Sequence, residues 1–234
     1  KDLIKFLLQN YGKTFGSPQS YNNHFGVPLS LSHLSPEHEF GIFEIGMSKA
    51  GEINKLSKIV KPHFGIITNI GEAHIENFKN LKGIADAKGE LISSIQKGGV
   101  LFLNRDDKYF NYLKKKAELK DLKIVSFGIN KNSDVFPIYI SKNKDKYKLS
   151  VKGQKLNFKL KNINVYNLLA SLAILNELKL DLSKISKLFK DYEPTEGRGK
   201  IHFIKRYKKN FKLIDESYNA NPLSVKNAIQ NFNS

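Results

Sequence analysis

The sequence predicts an α/β fold in which a mostly parallel sheet is flanked by helices, with an antiparallel extension at one edge and the opening elements of a second α/β unit after it. Three observations carry this. Short apolar runs rich in β-branched and aromatic residues recur along the first hundred residues, helix-period stretches separate them, and the pattern switches to alternation after residue 123.

Residues 3–9 read as a helix. Residues 40–45 (Phe-Gly-Ile-Phe-Glu-Ile), 64–69 (Phe-Gly-Ile-Ile-Thr-Asn) and 100–103 (Val-Leu-Phe-Leu) read as buried strands. Between the first two, residues 51–60 place Ile53, Leu56, Ile59 and Val60 at helical spacing and stop before Pro62. Residues 84–95 do the same before Gly98-Gly99. Two successive β-α-β units imply parallel strands and right-handed connections. From 123 to 160 the alternation of Ile138, Ile140, Leu149, Val151, Leu156, Phe158 and Leu160, with turn residues at 143–145 and 153–154, predicts the antiparallel extension. Residues 165–178 form a helix with Leu168, Leu169, Leu172, Ile174 and Leu175 on its apolar face, and 182–189 a shorter one. Residues 194–199 read as a linker, 201–217 as two strands around a Lys208-Lys209-Asn210 turn, and 222–232 as the beginning of a helix. The expected division is 1–194 and 195–234.

Composition excludes several classes. The chain has 234 residues, no Cys and no Trp, so disulfides, thiolate metal sites and a Cys nucleophile are out, and any metal is held by oxygen or imidazole. No run approaches the ~18–20 apolar residues of a membrane helix, and the start lacks a signal-peptide layout, so a soluble, cytoplasmic protein without membrane insertion is expected. A net charge of +17 invites a nucleic-acid reading, but only Arg105, Arg198 and Arg206 are arginines and the lysines are dispersed. Phosphate and base recognition favours Arg forks in a localised stripe, so no specific nucleic-acid partner is expected. Lys114-Lys115-Lys116 reads as a solvated helix face. Met47 is the only methionine, so Lys1 is not an ordinary translational start and a fragment is expected.

In parallel sheets ligands bind beyond the carboxyl ends of strands. Glu44 closes one apolar strand, and Glu72, His74 and Glu76 follow the next. A carboxylate and an imidazole at neighbouring strand ends suit Mg²⁺ or Mn²⁺; a helix-capping Glu44 and an ordinary loop His74 are the alternative. Gly12-Lys13-Thr14 is not a phosphate loop, because it follows a helix and lacks the upstream glycine of G-x-x-x-x-G-K-[ST].

Larger blocks carry a resemblance. Residues 21–29 (Tyr-Asn-Asn-His-Phe-Gly-Val-Pro-Leu), Phe43-Glu44-Ile45-Gly46-Met47 with Gly51-Glu52-Ile53, residues 68–76 with Ala87-Lys88-Gly89-Glu90, Asn164-Val165-Tyr166-Asn167, and residues 215–222 (Asp-Glu-Ser-Tyr-Asn-Ala-Asn-Pro) together resemble the Mur ligase family of ATP-dependent amide-bond-forming enzymes over nearly the whole chain. The first and last blocks resemble the branch that adds D-alanyl-D-alanine to a UDP-N-acetylmuramoyl-tripeptide. The resemblance implies a P-loop-NTPase-like central domain in residues 1–194, the start of the family's C-terminal domain in 195–234, and ligation through an acyl phosphate in peptidoglycan synthesis, with ATP and Mg²⁺, by a monomer. It implies that Glu44, His74 and Lys88 serve the metal and the catalysis, Lys88 as a carbamate, since an ammonium has no lone pair to offer. It further implies Asn167 at the adenine, Arg198 at the phosphates, Asp215 or, preferably, Glu216 at the ribose, and Tyr218, Asn219 and Asn221 lining the same cleft, with Asn22 and Asn23 at the muramoyl substrate. From the residues alone, Tyr218 to Asn221 read as turn chemistry before Pro222. Ile163 departs from the family's usual His. Another Mur or folylpolyglutamate-type ligase, or a basic nucleic-acid-binding module, are the other readings. The family's phosphate loop would lie upstream of residue 1, so the isolated 234 residues are expected to show no ATP turnover in a phosphate-release assay; measurable turnover would contradict this.

Overall fold

The structure, a computed structural model, describes residues 1–72, 75–141, 146–159, 163–189, 192, 196–218, 225, 226 and 229. Its main sheet has six strands in sequential order: β3 (Phe64–Ile67), β4 (Val100–Asn104), β5 (Lys123–Phe127), β6 (Val135–Ile140), β7 (Lys146–Val151) and β8 (Gln154–Lys159). β3 to β6 run parallel and β6 to β8 antiparallel. The antiparallel extension therefore starts at β6, and β5 belongs to the parallel sheet, paired from Val100↔Lys123 to Asn104↔Phe127. β6 touches β5 only at Phe127↔Val135, which leaves its far half free on that side. Pro137, with no N–H to give, sits there, where the register with β7 shifts between Pro137 and Tyr139.

β4 explains why the parallel strands read as unbroken apolar runs. Its alternate residues feed two separate cores. Val100 and Phe102 join the cluster under α1 (Asp2–Leu8) and α6 (Val165–Glu177), while Leu101 and Leu103 join Phe110, Leu113 and Ala117 of α5 (Phe110–Glu118). A strand covered on both faces has no polar side to alternate with. The predicted apolar face of α6 is buried throughout, and so are Ala170, Ser171 and Ala173, because α6 packs against both the sheet and α1.

The strand expected at 40–45 is shorter and sits elsewhere. β2 (Phe40–Ile42) pairs in parallel with β1 (Thr14–Gly16) as a separate two-stranded sheet, although Phe40, Ile42, Phe64 and Ile66 pack against one common core. The ladder stops at Ile42 because the following N–H groups go elsewhere: that of Glu44 donates to Ser17 Oγ (3.3 Å) and that of Gly46 to the Asn22 carbonyl (2.8 Å). Lys13 of the rejected phosphate loop pairs with Glu37 at the surface, and Thr14 opens β1.

After β2 comes α3 (Glu52–Val60), whose N-terminus is satisfied from a distance: Glu90 accepts from Gly51 N (2.7 Å) and Asn54 N (3.0 Å). Glu90 follows α4 (Leu81–Gly89), capped by the Asn80 side chain on Gly83 N. The predicted helix at 84–95 is thus split, its second half being a 3-10 turn, Glu90–Ser94. On the outer face of α4, Asp86 gathers Lys116 Nζ (2.6 Å), Lys82 Nζ (3.1 Å) and the Tyr112 hydroxyl, so α4 is clamped to α5, and Lys116 is more than a solvated lysine. Burial pushes the Asp86 carboxyl up, but its bonds from Lys116, Tyr112 and Lys82 outweigh this and hold it at about 2.

A short helix, α7 (Ile185–Leu188), precedes a two-stranded antiparallel hairpin, β9 (Lys200–Arg206) and β10 (Lys209–Asp215). Its turn is Tyr207-Lys208, one residue earlier than expected, with both residues at positive φ (51° and 57°). Most of the helix expected at 222–232 lies outside the described residues.

Two stability predictions follow from the α4 contacts. Replacing Glu90 by Ala leaves two α3 N–H groups unsatisfied and should cost about 1–2 kcal/mol in urea unfolding. Asp86 has a folded pKa below its unfolded value near ~3.9, so its contribution is fully present above about pH 4 and is lost as the pH falls through about 2. Because more than a third of the side chain is exposed to screening solvent, Asp86→Asn should cost no more than about 1 kcal/mol at neutral pH. That difference should shrink in acid and in about 1 M NaCl.

Candidate active site

The residues singled out at the strand ends fall into three groups. Glu44 lies two residues beyond β2, half-buried. Asn22 Nδ2 donates to its Oε1 (2.9 Å), and its other carboxylate oxygen has no partner among the described residues. The loop after β1 packs beside the start of α1, where the Lys1 Nζ donates to the Ser17 carbonyl (2.9 Å). Asn23 has a different job beside Asn22: its Oδ1 accepts from Phe25 N (3.1 Å) and Gly26 N (2.9 Å), shaping the entry to α2 (Gly26–Ser32).

Lys88, in the last turn of α4, reaches the carboxyl end of β3 and donates to the Asn69 carbonyl (2.8 Å). It is half-buried. Burial pulls its ammonium below the ordinary lysine range, against the raising pull of Asp107. Glu90 links this helix to the segment after Glu44, through the α3 N-terminus.

Sequence reasoning passed over the carboxyl end of β4. Asn104 Nδ2 donates to the Thr68 carbonyl (3.1 Å), Asp107 accepts from Ile70 N (2.6 Å) and Tyr109 N (2.8 Å), and Asp106 accepts from Ile129 N (2.5 Å) and Asn130 N (3.1 Å). Together they hold the loops after β3 and β5 in place. The signal was available: four consecutive polar residues, Asn104-Arg105-Asp106-Asp107, directly follow an apolar strand. Asp106 also faces Tyr166 in the first turn of α6, where burial and then that carboxylate push the phenol up to about 12. The neighbouring Asn167 is exposed; its N–H is capped by Asn164 Oδ1 (3.2 Å), and its side-chain amide has no partner among the described residues.

The third group is on the hairpin. The Arg198 guanidinium stacks 4.1 Å from the Tyr218 ring centroid. Gly197, at φ +74°, permits this, because a Cβ there would lie 2.7 Å from the Tyr218 Cβ. Asp215 is committed to the turn: it accepts from Gly197 N (2.9 Å), Ser217 N (3.0 Å) and Ser217 Oγ (2.6 Å), and these bonds lower its pKa. Glu216 makes no hydrogen bond among the described residues. Desolvation pushes its carboxyl up, against the lowering pull of Arg198. Of the two carboxylates, Glu216 is the one with free acceptor capacity.

His74, Asn219 and Asn221 lie outside the described residues. Among the described residues, no three His, Asp or Glu side chains cluster as metal ligands, and no helix is long and apolar enough to cross a membrane.

The family model "Mur ligase middle domain" matches residues 1–175. The UDP-N-acetylmuramoyl-tripeptide--D-alanyl-D-alanine ligase of Buchnera aphidicola subsp. Baizongia pistaciae is 32% identical over 235 residues, which is 98% of this chain and 50% of the relative. The ligase of the same name from Escherichia coli K12 is 28% identical over 236 residues, 98% of this chain and 51% of the relative. Among solved structures, MurF from Acinetobacter baumannii superimposes with a TM-score of 0.87 at 31% identity, over 98% of this chain and 50% of that one. The MurF ligase from Thermotoga maritima in complex with ADP shares the fold, with a TM-score of 0.84 at 23% identity over 99% of this chain and 53% of that one. The chain spans about half the length of the curated relatives it matches. Since the matched region runs from α1 through most of α6 and takes in the whole six-stranded sheet with Glu44 and Lys88 at its margin, the chain belongs to the Mur ligase family.

Proposed function

We propose that the protein to which this chain belongs is an ATP-dependent ligase of peptidoglycan precursor synthesis that joins D-alanyl-D-alanine to UDP-N-acetylmuramoyl-tripeptide. The observation that carries the reading is the 32% identity, over 98% of the chain, to a ligase of that name. In this reading residues 1–194 are the central domain and 195–234 begin the C-terminal domain of a cytoplasmic, monomeric enzyme.

The chemistry requires the terminal carboxylate of the tripeptide to be phosphorylated by ATP and the dipeptide amine to displace phosphate from the acyl phosphate. Glu44, His74 and a carbamylated Lys88 would hold Mg²⁺, which when bound neutralises the phosphate oxygens that must approach an anionic carboxylate. Two features of the residues fit that ion. Glu44 keeps one carboxylate oxygen without a partner among the described residues, and burial pulls the Lys88 ammonium below the ordinary lysine range, the direction that favours the neutral amine a carbamate forms from. Asn167 presents a free amide, able to donate and accept at once, to the adenine edge. Arg198, pre-oriented by its stack on Tyr218, meets the phosphates, and the uncommitted Glu216 serves the ribose hydroxyls better than the bound Asp215. By the family likeness, Asn219 and Asn221 would serve the same nucleotide. At the muramoyl substrate, Asn23 has only its amide N–H₂ to offer, since its oxygen is engaged.

The test is phosphate release by the full-length protein. It should require both UDP-N-acetylmuramoyl-tripeptide and D-alanyl-D-alanine, and Glu44→Gln or Lys88→Met should lower kcat by about 10²-fold or more. Turnover with a UDP-muramoyl dipeptide or bare UDP-muramoyl acceptor, and none with the tripeptide, would assign the protein to a sibling ligase.

A further inference from the structure

We infer that Asn22 is a positioning residue for the Glu44 carboxylate, holding it ready for a divalent cation; this rests on the reading above that Glu44 is a metal ligand. The geometry differs from that of a residue held out for a substrate. Asn22 is half-buried, and its Nδ2 is 2.9 Å from Glu44 Oε1. A carboxylate can only accept here, so chemistry fixes which end of the amide faces it. The contact is built from both sides. The Asn22 carbonyl accepts from Gly46 N (2.8 Å), two residues beyond Glu44, and Glu44 N donates to the Oγ of buried Ser17 (3.3 Å). Gly46 supplies the room: a Cβ there would stand 2.9 Å from Asn22 Cγ and 3.1 Å from both its amide nitrogen and its oxygen. Any side chain at position 46 would push the amide off Glu44.

An amide suits this task better than a cation. A lysine or arginine at position 22 would neutralise Glu44 and compete with the metal, whereas the neutral Nδ2 occupies one oxygen, restrains a flexible side chain, and leaves the full negative charge to the ion. Restraining Glu44 in advance removes rotamer freedom that binding would otherwise have to remove. Outer-shell partners of this kind typically alter metal affinity by ~10–100-fold.

The experiment measures Mn²⁺ binding by electron paramagnetic resonance to the full-length protein with ADP present, for Asn22→Ala, Glu44→Gln and the double variant, beside the KM for UDP-N-acetylmuramoyl-tripeptide. Asn22→Leu, close to Asn in size, serves as a second donor-less variant, and thermal unfolding checks that each protein is folded. Asn22→Ala and Asn22→Leu should weaken Mn²⁺ about tenfold and leave the tripeptide KM unchanged, and Asn22→Ala should add nothing on the Glu44→Gln background. If Glu44→Gln weakens Mn²⁺ while the Asn22 variants leave it unchanged, or if their effect persists on the Glu44→Gln background, or if they raise the tripeptide KM instead, the positioning role is overturned and the metal reading of Glu44 stands. If Glu44→Gln itself leaves Mn²⁺ binding intact, the metal reading fails, and the positioning role with it.

Discussion

Backbone N–H groups beyond the last ladder bond of a strand still need acceptors, and the site end of this molecule is organised by how that need is met. In a parallel sheet each strand stops against a loop with no neighbour to continue the pattern, so the acceptors come from side chains. Here they are mostly carboxylates. Asp107 takes Ile70 N, Asp106 takes Ile129 N and Asn130 N, Glu90 takes Gly51 N and Asn54 N, Glu52 takes Ser48 N and Lys49 N, and Asp215 takes Gly197 N. Most of these bonds fix a loop that carries or adjoins a candidate functional residue. A bond between a charged acceptor and an amide is stronger than a neutral one and directional, so it sets loop shape as well as stability.

This arrangement divides the acidic residues into two populations. Asp106, Asp107, Glu90 and Asp215 are spent on backbone and have little acceptor capacity left. The Glu44 and Glu216 carboxylates accept from no backbone N–H among the described residues, so their acceptor capacity is not taken up by loop structure. The difference between Asp215 and Glu216, adjacent in sequence, lies in direction: one carboxylate turns back into the Gly197 turn, and the other remains beside Arg198.

The parallel strands and the helices between them were legible because burial on both faces imposes an apolar run that few other structures tolerate. β1 escaped notice: Thr14-Phe15-Gly16 is too short to show a period, and its partner is 26 residues away. β5 is hard to tell from the antiparallel strands because Lys123 and Ser126 interrupt its run, Lys-Ile-Val-Ser-Phe, which lacks the unbroken apolar pattern of β4. At the site, Glu44 and Lys88 stood out by strand-end position and by family likeness, while Asn104 to Asp107 satisfied the same positional rule and went unweighed. For Asn22 the family likeness points only to the substrate, and the bond to Glu44 comes from the structure. That bond spans 22 positions, and no local pattern encodes which of two neighbouring asparagines turns inward.

The clamps on backbone amides also shape the field outside the molecule. Acids such as Asp106, Asp107, Glu90 and Asp215 are turned onto backbone N–H groups, and although Asp86, Glu177 and Glu37 pair with lysines, the 39 basic residues outnumber the 22 acidic ones, so a net positive field remains outside the chain. A phosphate-bearing reactant diffusing toward such a surface is drawn in over a Debye length, roughly 10 Å at 0.1 M salt. Encounter with such a surface would then be quickest in dilute buffer and slow as ionic strength rises, a kinetic property set by the net charge and not by any single lysine.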